Sequence, residues 1–169
     1  PIYTSDVDHY WEAYDKIIAT DDSLAKLKYL QSLYFERGTP GLDKLREVRR
    51  YSAEEYLAAI ADYPEFWAAI RPNTFRANTL GEQVNTGFAK INELYPCPKP
   101  AAVYFEVCNF RTYGTAVDSF VLIGTELALA GANVPANEFP ENIREARANY
   151  FAQNPIDKVF GLFVHEFVH

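Results

Sequence analysis

Apolar residues recur every three or four positions through the first 95 residues, and that spacing predicts a succession of helices. Val7, Tyr10, Trp11, Tyr14, Ile17 and Ile18 make one stripe, and Leu24, Leu27, Leu30 and Tyr34 a second. The second helix should stop at Gly38, ahead of Pro40, because glycine closes helices and proline cannot continue one. A third, short helix carries Leu42, Leu45 and Val48. Ser52 with Glu55 has the spacing of a capping box, in which each side chain satisfies a free backbone N–H of the first turn. It opens a helix with Tyr56, Leu57 and Ile60 inward, and Pro64 opens the next through Phe66, Trp67 and Ile70. Thr79 with Glu82 predicts a second capping box, leading into Val84, Phe88, Ile91 and Leu94.

The pattern changes at YPCPKP, residues 95–100, where three prolines forbid a helix. AAVYFEVCNF alternates and is rich in β-formers, which predicts a strand over about 102–110. RTYG reads as a turn, and AVDSFVLIGTEL as a second strand over about 117–126. The short connection predicts that the two strands pair as a hairpin or share a sheet. A polar loop over 131–140, a helix over 141–152 and a last helix from Asn154 complete the chain. The expected class is α+β: a helical N-terminal layer, a small antiparallel β-sheet and a C-terminal helix packed on it. The organisation expected is a single domain over 1–169, with 1–95 helical and 96–169 holding the strands and final helix.

Composition narrows the function classes. Half the residues are apolar and fewer than a quarter are charged, as in a globular chain. The net charge of −7 leaves no basic surplus for nucleic acid or an anionic membrane. No apolar run approaches the length of a membrane span. The chain opens on Pro1, has no signal peptide and holds no methionine, so a leader or preceding segment is expected. Cys97 and Cys108 could form a bridge, but two unpaired buried thiols are the favoured reading.

The chemistry concentrates at the end, in NPIDKVFGLFVHEFVH. Asn154 can cap this helix, Pro155 suits its first position and Asp157 favours the positive end of its dipole. Ile156, Val159, Phe160, Phe163, Val164, Phe167 and Val168 make it apolar nearly all round, as in a buried helix. Two of the three histidines in the chain, His165 and His169, lie four apart on the remaining stripe with Lys158 and Leu162. Imidazoles one turn apart can share a Zn²⁺ ion, and Glu166 between them can accept a proton from the attacking water without being a ligand. This is the H-E-x-x-H arrangement of zinc peptidases. Histidine pairing alone also admits iron. Two ligands do not complete a catalytic zinc site, so a third is expected from residues after His169. On that reading the 169-residue chain is inactive with weak zinc affinity, or its metal is completed by water or an upstream acid such as Glu126.

FVLIGTELALAG, the final helix and YFERGTPGLDKL together resemble the predicted zinc-dependent proteases related to the gliding-motility lipoprotein B family of bacterial envelopes. The resemblance implies a zincin-like fold continuing past His169. It also implies a peptide or protein substrate and a periplasmic or cell-surface location, with a cytoplasmic one left open. The alternative is a non-catalytic envelope or gliding-related interaction protein that retains the fold. In the peptidase reading, the strand over about 117–125 lines the cleft and pairs with an extended peptide. Glu126 and Asp118 read as solvated acids, His9 as a surface or capping residue, and Tyr113–Gly114 as a candidate substrate-facing loop.

Overall fold

The computed structural model describes residues 1–83, 86, 102–153, 155 and 158. The expected α+β class is what it shows, with a helical layer against a small four-stranded sheet.

Strand β1 (Ile2–Tyr3) leads into α1 (Ser5–Ile18), which buries Val7, Tyr10, Trp11, Tyr14 and Ile17. Ile18, expected in the same stripe, is 58% exposed. Asp22 caps α2 (Ser23–Tyr29) by accepting from the N–H groups of Leu24 and Ala25. The helix continues as a π-helical segment, Leu30–Phe35. This wider turn brings Leu30, Tyr34 and Phe35 inward together, whereas Leu24, expected to be apolar core, is solvent-exposed.

Thr39 caps α3 (Pro40–Arg49), with Pro40 in its first turn and Arg50 in the left-handed conformation at its end. A β-carbon on Gly41 would stand 2.2 Å from Cγ of Tyr104, so only glycine lets α3 lie this close to the sheet. The Ser52–Glu55 capping box of α4 (Ala53–Asp62) is present in both directions. Pro64 opens α5 (Pro64–Thr74), whose first turn donates two N–H groups, from Glu65 and Phe66, to the Glu138 carboxylate. The next helix, α6, is described over 77–83, so Thr79 lies inside it rather than capping it. The continuation expected through Phe88, Ile91 and Leu94 lies outside the described residues.

Strands β2 (Ala102–Glu106), β3 (Gly114–Val117) and β4 (Phe120–Gly124) join β1 in the order β1-β2-β4-β3. The sheet is mixed, which corrects the antiparallel expectation. β1, β2 and β4 are parallel, and only β3 and β4 form an antiparallel hairpin. The strand expected over 102–110 stops at Glu106, and the one expected over 117–126 divides between β3, β4 and a short helix. Its turn is at Asp118, which takes a left-handed φ of 55°. β4 therefore lies inside the sheet and cannot be its rim; the edge strands are β1 and β3. Val103, Phe105, Val121 and Ile123 are as buried as Tyr104 and Leu122 on the opposite face, so β2 and β4 are covered on both sides.

Short helix α7 (Thr125–Ala128) follows β4, and after the polar loop α8 (Glu141–Ala152) runs where expected. An aromatic cluster ties the helices together: Tyr10 lies against Trp11, Tyr34 and Trp67 with ring centroids 5.3–5.4 Å apart. No described helix is long and apolar enough to cross a membrane.

Candidate functional site

Beyond the carboxyl end of β2, residues 107–113 form a tightly held loop. The Val107 carbonyl accepts from the hydroxyls of both Tyr34 and Tyr56, each at 2.7 Å. Burial pushes both phenols well up from their ordinary pKa, so they stay protonated and keep donating. Next along, Glu126 on α7 gathers the loop from the opposite side. Its carboxylate accepts from the Cys108 N–H at 3.1 Å and the Phe110 N–H at 2.8 Å. The Cys108 thiol lies 3.2 Å from both Glu126 Oε1 and the Thr112 carbonyl. The loop then doubles back on β4, where a β-carbon on Gly124 would stand 2.2 Å from the Thr112 oxygen.

Glu126 is completely buried, which overturns its reading as a solvated acid. Burial raises its pKa, and the hydrogen bonds from Phe110 and Cys108 oppose that rise. With its oxygens already engaged, it serves as an internal cap for the loop. Cys108 is a free, buried thiol; burial first and Glu126 second hold it protonated and therefore unreactive. Cys97 lies outside the described residues.

Two acids that sequence reasoning passed over lie in the interior. Asp6, in the first turn of α1, accepts from the N–H of Thr39 at 3.0 Å and from its hydroxyl at 2.5 Å, joining the starts of α1 and α3. His9 Nδ1 stands 3.8 Å from Asp6, so this histidine faces the helix start rather than standing free on the surface. Glu106, the last residue of β2, is fully buried, and neither oxygen has a hydrogen-bond partner among the described residues. The available signal was an acid within AVYFEV, a strand whose neighbours are apolar on both faces.

Burial drives the Glu106 pKa well above the carboxylate range, and the nearby Asp6, Glu126 and Asp43 carboxylates push it the same way. The folded protein therefore keeps a proton that the unfolded chain releases above about pH 4.3. The stability attached to this proton is complete below that pH and is lost as pH rises toward the folded-state pKa. Glu106→Gln removes this loss. Thermal unfolding across pH should show a gain over wild type that is near zero at acid pH and grows toward neutrality. A pH-independent difference would show that Glu106 does not carry the buried proton.

A concave pocket of about 350 Å³ opens beside the loop, between α4, Phe139 and α8. Asn109 and Phe110 contribute to it through consecutive left-handed conformations, φ 52° and 61°. Such backbone in non-glycine residues costs on the order of 1–3 kcal/mol each and is retained where the surroundings enforce it. Asn109 is nine-tenths buried, and its Oδ1 has no partner among the described residues. Arg147 enters from α8, bonded to the Tyr113 hydroxyl and lying over the Tyr113 and Phe139 rings. This places Tyr113 against α8, while Gly114 begins β3 rather than forming a separate loop tip. Asp118 is exposed in the hairpin turn with Lys44 Nζ at 3.6 Å, as expected of a solvated acid.

His165, Glu166 and His169 lie outside the described residues. Of the stretch that leads to them, Pro155 and Lys158 are described, and both are helical, Pro155 buried and Lys158 exposed. Comparison with known proteins finds no matching family model, no matching curated protein and no matching solved structure.

Proposed function

We propose that this chain carries the motif helix of a zinc metallopeptidase that hydrolyses peptide bonds. The observation that carries the reading is the H-E-x-x-H spacing at His165, Glu166 and His169, on a stretch whose other positions are mostly apolar. Two imidazoles one helical turn apart suit zinc as a donor pair. His165 and His169 would hold the ion, and the third protein ligand would come from beyond His169. Zinc, when bound, polarises a carbonyl and lowers the pKa of water toward about 7. Glu166 takes the water proton and returns it to the leaving amine. An upstream ligand at Glu126 is disfavoured by the hydrogen bonds its carboxylate already accepts.

The edge strand β3 supports a place for substrate. Its outer side has no strand partner among the described residues, so an extended peptide could add there by main-chain hydrogen bonding. Zinc analysis of the complete natural protein beside its His165→Ala/His169→Ala variant tests the reading. One zinc per chain is expected in the first and its loss in the second. Zinc content unchanged by the double substitution, or no zinc in either protein, would overturn it; the second result would favour a non-catalytic envelope protein.

A further inference from the structure

The pocket between α4, the 107–113 loop and α8 has a charge arrangement that none of its structural contacts uses up. Arg147 is held by a phenol and two aromatic faces, with no carboxylate paired to it among the described residues. Asp62, at the end of α4, is exposed and also lacks an ion-pair partner there. The other two charges, Arg111 and Glu55, already pair with each other. One unused cation and one unused anion therefore share one cavity. Tyr63 stands between their influences: burial chiefly raises its pKa, with Asp62 adding to the rise and Arg147 opposing it.

Three aromatic rings, those of Tyr63, Phe110 and Phe139, join the lining. Tyr63 stacks on Phe139 at 4.9 Å, and Phe110 meets Tyr63 and Phe139 edge-on at 5.2 and 5.3 Å. Asn109 adds a buried amide whose oxygen has no partner among the described residues. At about 350 Å³ the cavity also reaches the lower end of the range for small-molecule sites, roughly 300–1,000 Å³.

We propose that this pocket binds an aromatic α-amino acid as its zwitterion. Arg147 receives the carboxylate and Asp62 the ammonium group. The ring lies against Phe110 and Phe139. A simple organic anion would leave Asp62 opposing it, and an amine would leave Arg147 opposing it. Only a ligand with both charges matches both residues. The left-handed pair Asn109–Phe110 brings both residues to the cavity wall, which gives that backbone conformation a use. The proposal does not depend on the metallopeptidase reading and is tested by binding alone.

The probes are L-phenylalanine, 3-phenylpropionate, which lacks the ammonium group, and phenethylamine, which lacks the carboxylate. Titration followed by amide NMR should show L-phenylalanine shifting Asn109, Phe110 and Arg111, with each truncated probe binding about tenfold more weakly or worse. Arg147→Gln should weaken L-phenylalanine about tenfold. Asp62→Asn, at an exposed position without a partner, should remove the preference for L-phenylalanine over 3-phenylpropionate and leave the fold intact. No shifts with L-phenylalanine, equal binding of the three probes, or a preference unchanged in Asp62→Asn would overturn the assignment.

Discussion

Glu166→Gln in the complete natural protein is expected to abolish peptide hydrolysis while zinc stays bound. Glutamine keeps the size and most of the hydrogen-bonding capacity of glutamate but cannot accept the water proton. General-base groups contribute typically 10²–10⁴-fold, so kcat should fall by about that factor. Because Glu166 is assigned no bond to the metal, zinc content should stay at the wild-type level. Steady-state hydrolysis of a fluorogenic peptide, together with metal analysis of the same preparation, checks both halves. Retained activity would remove Glu166 from the chemistry. Loss of zinc along with activity would make it a ligand.

Glu126→Ala is expected to cost more folding stability than any surface change, about 2–5 kcal/mol. The carboxylate is fully buried and accepts from the N–H groups of Cys108 and Phe110. Alanine leaves both donors unsatisfied inside the protein and opens a cavity beneath them. Glutamine retains one carbonyl oxygen, so Glu126→Gln should cost only about 1–2 kcal/mol. Denaturant unfolding gives the two energies. Amide exchange at Cys108 and Phe110 should quicken far more in the alanine variant than exchange in α1. An alanine variant as stable as wild type would show that the loop is held by the Tyr34 and Tyr56 hydroxyls alone.

The helices were legible wherever an apolar stripe coincided with a chemical start or stop. Ser52 and Glu55, Pro40 after Gly38, and the polar loop before α8 all mark boundaries that the structure keeps. Thr79 misled because a Thr-x-x-Glu pattern caps a helix only when the residue before it is not yet helical, and here the chain is helical from residue 77. The sheet misled for a different reason. FVLIG and AVYFE read as strands, but the chain passes through β3 and returns so that β4 inserts between it and β2. β3 is a short edge strand, GTAV, too brief and too weakly apolar to stand out beside two buried neighbours. Glu106 was marked only by its apolar neighbours in AVYFEV and Glu126 by nothing local, because glutamate is ordinarily a surface residue and tertiary packing encloses these two. For the candidate site, the sequence showed a metal-binding spacing, whereas the pocket with Arg147 and Asp62 became visible only once α4 and α8 were set side by side.

The pairing of β1 with β2 constrains the order in which the chain can fold. Ile2 aligns with Val103, and the Pro1 carbonyl accepts from the Val103 N–H at 2.9 Å, so partners roughly a hundred residues apart must meet. Closing so long a loop yields only two residues of ladder, which makes it a poor early step. The helical block, built from near neighbours, can form first, with β1 docking late. Until then one side of β2 presents unpaired backbone on an apolar strand, the kind of edge that recruits a strand from another chain. The first three residues thus act as a guard against self-association during folding, and their removal would expose that edge in the finished protein as well.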